Sequence, residues 1–356
     1  MKFWELFLGA FIATILLTPL SIRIAPKIGG LDIPKDNRRM HTKPIPRVGG
    51  IAVFIGVTAA VFVFLPHASY IKGILAGGTV IFLLGLIDDI RNLRPAVKLI
   101  GQIAGASVVY LTGTKISFIH LFLADKVFFS DALSFVLTVV WLVGITNTIN
   151  LIDGMDGLAA GVVAIASCCI AYVAYIHGSY YQCLPMLAVA GAALGFLPWN
   201  FHPAKTFMGD CGSQYLGFMI ASFSIVGLVK SATVVALIVP LLVLGLPVFD
   251  TGYAIIRRIV RRKPIMEADK EHIHHSFGKS GMGQRRAVLC MYGICAIMGT
   301  AAVLLSRQLY VESIGLCLIA LAYIYIIITD RNHVMPAIVE EIIEDIEEKK
   351  EERRKS

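Results

Sequence analysis

The sequence predicts an all-α polytopic membrane protein, and three observations predict it. Of the 356 residues, 57% are hydrophobic and only 16% are charged, whereas a soluble domain carries about 25% charged residues. The mean hydropathy is +0.76. The apolar residues also come in long unbroken runs, not in the alternation that a β-barrel requires. A helix satisfies its own backbone polar groups, so it is the form such runs take in lipid.

Eleven apolar spans follow one another: 3–25, 47–66, 71–87, 98–113, 131–149, 159–178, 183–199, 213–229, 231–255, 286–306 and 312–329. Several have about 17 residues, the short end for a spanning helix. An odd number puts the termini on opposite sides. Lys27, Lys35, Arg38, Arg39, Lys43 and Arg47 follow the first span, and Arg91, Arg94, Lys98 and Lys205 fall on the same side. So do Arg257, Arg258, Arg261, Arg262, Lys263, Lys270, Lys279, Arg285 and Arg286. The other side has Lys2, Lys72, Lys115, Lys126, Lys230 and Arg307. The positive-inside rule then gives an outside N-terminus and a cytoplasmic C-terminus. The first span runs past Pro19 without an A-x-A-like site, which favours an uncleaved helix over a signal peptide.

This organisation gives one integral membrane domain over 1–330, with functional loops on the cytoplasmic side, and a charged tail over 331–356. Isoleucines 338, 342 and 346 form a narrow stripe in that tail, which suits a solvated helix. The seven cysteines include no C-x-x-C pair, and six lie in or beside apolar spans, where they read as small buried hydrophobes. Nucleic-acid binding is disfavoured, because the basic residues are spread along membrane loops. No Walker, G-x-S-x-G or H-E-x-x-H motif is present.

Chemistry concentrates where spans end on the cytoplasmic side. Asp88 and Asp89 close the third span; neighbouring carboxylates there need water, a cation or a basic partner. Lys98 and Gln102 lie one turn apart on one face of the fourth span. Asn147, Asn150, Asp153 and Asp156 recur every third residue, with Gly154 and Gly157 allowing close backbone approach. Phe207-Met-Gly-Asp210 precedes a helix N-terminus, whose free N–H groups suit an anion. Hard oxygen ligands of this kind suit Mg²⁺ with phosphate. His272, His274 and His275 follow the four arginines of 257–262, and the group fits a phosphate- or sugar-binding lid better than a zinc site. A secondary transporter would hold its acids near the bilayer midplane, often in repeated halves. Here they end spans on one side, and no internal repeat is found.

These motifs, in this order, resemble the polyprenyl-phosphate N-acetylhexosamine-1-phosphate transferases, the MraY/WecA/TagO family. The resemblance rests on Asp32…Arg38…His41…Pro46-Arg-Val-Gly-Gly50, Asp88-Asp89-x-x-Asn92, Lys98-x-x-x-Gln102, Asn147-x-x-Asn-x-x-Asp-Gly-x-Asp-Gly157, Phe207-Met-Gly-Asp210 and His272-x-His-His275. It implies transfer of a sugar-1-phosphate from a UDP-sugar to polyprenyl phosphate, with release of UMP, in a bacterial plasma membrane. It implies Mg²⁺, replaceable by Mn²⁺, and allows a homodimer. By motif position, Asp88, Asp89, Asp153 and Lys98 would be catalytic, and Asn150 and Asp210 would hold the metal. Asp32, Lys43, Asn147, Asp156, Phe207, Arg258, His272, His274 and His275 would bind substrate, with Asp156 and Phe207 at the uracil. The His-Ile-His-His and Pro-Arg-Val-Gly-Gly patterns are similar to the WecA/TagO branch, which uses UDP-GlcNAc, rather than the MurNAc-pentapeptide branch. Position 92 departs from the family pattern, being Asn where many relatives have Asp.

Overall fold

The computed structural model describes residues 3–33, 44–65, 69–120, 126–231, 235–245 and 283–324. Its helices are α1 (Phe3–Ile28), α2 (Gly50–Phe64), α3 (Ser69–Arg91), α4 (Pro95–Leu111), α5 (Asp131–Ile152), α6 (Leu158–Ile176), α7 (Tyr180–Asn200), α8 (Gly209–Ser231), α9 (Val235–Val243) and α10 (Gln284–Ser306). A further apolar helix, α11, covers Tyr310–Ile324. Among the described residues, six helices are long and apolar enough to cross a membrane: α1, Tyr70–Arg91 of α3, α5, α6, α7 and α10. Helices α2, α4 and α11 are apolar but shorter.

Two small hairpins, not foreseen from the sequence, join the helices. β1 (Leu31–Asp32) pairs antiparallel with β2 (Ile45–Pro46), Leu31 facing Pro46 and Asp32 facing Ile45. β3 (Phe118–His120) pairs with β4 (Lys126–Phe128) between α4 and α5.

Helix α1 shows how the sequence sorts its faces. Trp4, Leu8, Ile12, Leu16 and Leu20 recur every four residues and are exposed, while Ala10, Thr14, Thr18, Ser21 and Ala25 are buried. Apart from the buried Leu6, small residues therefore face the bundle and large apolar ones face outward, the arrangement lipid selects. The hydroxyl of Thr18 returns to the Thr14 carbonyl at 2.7 Å, so it is not left unpaired inside. Helices α6, α7 and α8 form the centre, with Phe196, Tyr215, Phe218 and Phe223 among the largest buried side chains. α1 packs on α7 and α2, α3 on α8 and α4, and α5 on α8.

The alternating helices bring the functional residues to one end of the bundle. The C-terminal ends of α3, α5 and α7 meet the N-terminal ends of α2, α4, α6, α8 and α10 there.

Candidate active site

Asp88 and Asp89 lie in the last turn of α3, and both are buried. The helix stops just beyond them. Asn92 takes a left-handed φ of 49°, and its N–H donates to the Asp88 carbonyl at 2.8 Å. Asn adopts that conformation more readily than most residues, so position 92 is explained as a helix end.

The two carboxylates point to different partners. Asp88 Oδ1 accepts the Leu93 N–H at 2.6 Å, and Oδ2 meets Lys98 Nζ at 2.5 Å. Lys98 also meets Asp210 Oδ2 at 2.8 Å, so one ammonium joins the end of α3 to the start of α8. Asp89 instead accepts the N–H groups of Asp210 and Cys211, each at 3.0 Å, at the N-terminus of α8. Arg47 pairs with the same carboxylate at 3.2 Å. Both Asp89 oxygens are thus engaged, and Asp89 positions Asp210. Gly209, with φ +71°, turns the chain into α8; a side chain there would strike the Arg47 carbonyl and Asp89.

Behind Lys98 a chain of amides is buried among α4, α5 and α8. Gln214 donates to Asp210 Oδ2 at 2.9 Å, and Gln102 donates to Gln214 at 3.0 Å. Gln102 and Asn147 exchange two hydrogen bonds, at 3.1 and 2.8 Å. Asn147, expected at the substrate, has its amide NH₂ shared between Gln102 and the Val143 carbonyl. Asn150 accepts the Ser213 hydroxyl at 2.6 Å. Asp153, the C-cap of α5, is half-buried and makes no side-chain hydrogen bond among the described residues. Burial, with the negative charges of Asp210, Asp89 and Asp156, pushes its carboxyl well above the usual carboxylate range.

The regular three-residue ladder divides at this point. Asn147 and Asn150 stay on α5 and Asp153 caps it, whereas Asp156 lies in the next turn and pairs with His202 Nδ1 at 2.7 Å. Phe207 is half-buried in the α7–α8 loop. Its N–H donates to the Pro46 carbonyl at 2.7 Å, and its carbonyl accepts the Gly49 N–H at 3.0 Å. The β1–β2 hairpin holding Asp32 is thereby docked on the same loop. Lys43, Arg258, His272, His274 and His275 lie outside the described residues, as do the basic loop around them and the tail over 331–356.

The sequence reading assigned no role to Gln214, Ser213 or His202. Gln214 carried a signal, standing one helical turn after Asp210. His202 carried none, because only the folded loop brings it to Asp156.

The donor set can be compared with a divalent cation. Asp88, Asp89, Asp153 and Asp210 face two cations, Lys98 and Arg47. Among the described residues, four carboxylates against two cations leave two negative charges uncompensated when all are ionised. No group of three or more His, Cys, Asp or Glu side chains forms a ready cage among the described residues. Mg²⁺ does not require one, since it uses one or two carboxylates with waters and substrate phosphates. The residues therefore fit such an ion.

Residues 71–228 match the family model described as glycosyl transferase family 4. A Bacillus subtilis protein named as a probable undecaprenyl-phosphate N-acetylglucosaminyl 1-phosphate transferase is 40% identical over 322 residues, 90% of each chain. A Mycobacterium tuberculosis decaprenyl-phosphate N-acetylglucosaminephosphotransferase is 35% identical over 80% of this chain and 78% of its own. A phospho-N-acetylmuramoyl-pentapeptide-transferase of Geobacillus thermodenitrificans is 30% identical over 80% of this chain and 92% of its own. With the motifs above in the same order, these likenesses settle the relationship: the chain belongs to glycosyl transferase family 4, among the polyprenyl-phosphate N-acetylhexosamine-1-phosphate transferases.

Proposed function

We propose that this protein transfers N-acetylglucosamine-1-phosphate from UDP-GlcNAc to undecaprenyl or another polyprenyl phosphate, releasing UMP at the cytoplasmic face of a bacterial plasma membrane. One observation carries the reading: Lys98 held between Asp88 and Asp210, with the Asp153 carboxylate, which has no hydrogen-bond partner among the described residues, at the same end of an apolar bundle. Phosphoryl transfer asks for position and charge compensation more than for covalent chemistry by the protein. A lipid phosphate lies at the bilayer surface, so its acceptor site belongs at the helix ends.

The chain's own groups divide the task. Asp88 takes the proton from the lipid phosphate, whose oxygen then attacks the sugar-bearing phosphorus and expels UMP. Lys98 moves from a carboxylate pair to a carboxylate–phosphate pair as the lipid arrives. Asp89 and Arg47 hold the start of α8, and Gln214 holds Asp210. Asp210 and Asn150 would hold Mg²⁺, or Mn²⁺ in its place, with Asp153 nearby. Once bound, the ion supplies charge neutralisation for the diphosphate and the departing UMP.

UDP-GlcNAc is favoured over UDP-MurNAc-pentapeptide by the names of the relatives at 40% and 35% identity over 90% and 80% of this chain, whereas pentapeptide enzymes match at 30% over 80% or at 36% over only 60%. Eleven spans, an outside N-terminus and a cytoplasmic site are part of the same proposal. Their support is the clustering of Arg47, Arg91, Arg94, Lys98, Lys205, Arg285 and Arg286 near the end of the bundle that holds the acids. Purified protein with UDP-GlcNAc, undecaprenyl phosphate and Mg²⁺ should release UMP only when the lipid is present. Release without lipid, or none with all three, would overturn the proposal.

A further inference from the structure

The α7–α8 loop makes a contact that the reaction just described leaves unused. Asp156 Oδ2 accepts two hydrogen bonds, from His202 Nδ1 at 2.7 Å and from the Ala204 N–H at 3.1 Å. Among the described residues no donor reaches Oδ1. The Asp156 side chain remains 16% exposed, so a ligand can reach it.

The turn that carries Asp156 is held from several directions. Asn200 accepts the Gly157 N–H at 3.0 Å, and the Tyr292 hydroxyl donates to the Gly157 carbonyl at 2.5 Å. Asn200 in turn donates to the Thr206 carbonyl at 3.0 Å. Arg285 donates to the His202 carbonyl at 2.8 Å, which ties the histidine to the start of α10. Donors from one loop thus fix one carboxylate oxygen, and the other is left as an acceptor.

An ionised carboxylate accepts hydrogen bonds and donates none. Pyrimidines differ at the atom such a group would meet. Uracil has a hydrogen on N3, whereas cytosine N3 is bare and is itself an acceptor. We infer that His202 is a positioning residue that, with the Ala204 N–H, fixes Asp156 and makes this site choose uridine over cytidine nucleotides. The inference rests on the reading that Asp156 meets the base of the nucleotide donor. It adds the residue that sets the base choice.

The backbone N–H of Ala204 is a donor in every protonation state, so whatever atom faces it must be an acceptor. In Asp156→Asn, His202 and Ala204 should therefore claim the amide oxygen and turn the NH₂ group toward the base. That exchange predicts an inverted preference.

The test is direct binding of UMP and CMP to the detergent-solubilised full-length protein, measured by calorimetry. Wild type should bind UMP roughly ten- to hundredfold tighter than CMP, the span expected when a buried polar pair becomes two facing acceptors. His202→Ala should weaken UMP binding about tenfold while CMP changes little, so that the ratio collapses. His202→Asn, whose amide NH₂ can replace Nδ1–H, should restore the ratio. Asp156→Asn should favour CMP. A wild-type ratio in His202→Ala, or a retained UMP preference in Asp156→Asn, would overturn the inference. If His202→Ala fails to fold, His202→Asn and Asp156→Asn still decide it. A wild-type protein that binds neither nucleotide would defeat the proposed function and this inference together. An unchanged ratio in His202→Ala, in protein that still releases UMP, would defeat the inference alone.

Discussion

Asp88, Asp89, Asp153 and Asp210 gather at one end of the bundle, yet they hold different positions and should fail differently. Asp89 faces Arg47 and two backbone N–H groups, and its side chain is 1% exposed. Asp89→Ala leaves these donors without an acceptor and should cost about 3–5 kcal/mol, the usual penalty for breaking a buried pair, read as a lower melting temperature in detergent. Asp210→Ala leaves Lys98 paired with Asp88, so it should abolish turnover while the melting temperature changes far less. Near wild-type activity of Asp210→Ala at low Mg²⁺ would contradict its assignment to the metal. Asp153 behaves differently again. Its folded pKa is raised, so ionisation opposes folding, and the stability it contributes at low pH is lost as pH rises through that raised value. Asp153→Asn should therefore melt higher than wild type near neutral pH, with the difference shrinking in acid. Melting curves across pH check this, and added Mg²⁺ should raise the wild type more than the variant. The sequence marked all four acids, because carboxylates ending apolar spans are costly and conspicuous. It did not show that Asp89 braces the start of α8, since the N–H groups on Asp89 belong to residues more than a hundred positions away.

At the scale of elements, the site depends on how closely α3 and α8 approach. Gly85 lies one turn before Asp89, and a methyl group added there would come within 2.6 Å of the Asp210 carbonyl. Gly85→Ala should push the helices apart, at about 1–3 kcal/mol of overpacking. The displacement moves Asp210 relative to Asp88 and Lys98. A misplacement near 1 Å costs on the order of 10²-fold in rate, so turnover should fall far more than stability. A Gly85→Ala protein with wild-type turnover would show that this spacing is not limiting. Helix positions were legible because apolar length alone marks them: the expected spans over 3–25, 131–149 and 159–178 match α1, α5 and α6. The hairpins were not legible, since β1 and β2 have two residues each and their pairing is set by docking to the α7–α8 loop. The recurrence of Asn147, Asn150, Asp153 and Asp156 at every third residue does not stay on one helix: α5 ends at Ile152, and the Gly154–Gly157 turn carries Asp156 away to His202.

The whole molecule is polarised. Among the described residues, Asp88, Asp89, Asp153, Asp156 and Asp210, the amides beside them and most of the loop cations share one end, whereas the other end of the bundle has the β3–β4 hairpin and the exposed Lys115–Asp131 pair. In the proposed topology the acid end faces the cytoplasm, where UDP-sugars are made, and the hairpin faces outside. In a background lacking the seven native cysteines, an impermeant thiol reagent on intact cells should label a cysteine at 126 and spare one at 279. The reverse pattern would invert the topology. Orientation was readable only as a charge asymmetry, because the physical cause lies in the membrane rather than in the fold. The central claim is the reaction itself, and a donor comparison tests it most directly. Purified protein in detergent, with undecaprenyl phosphate and Mg²⁺, is given UDP-GlcNAc or UDP-MurNAc-pentapeptide, and UMP release and the lipid-linked sugar are measured together. The account predicts rapid formation of undecaprenyl-diphosphate-GlcNAc with one UMP per product, and turnover of the pentapeptide donor lower by as much as roughly 10⁴-fold. Equal or faster use of the pentapeptide donor would contradict it.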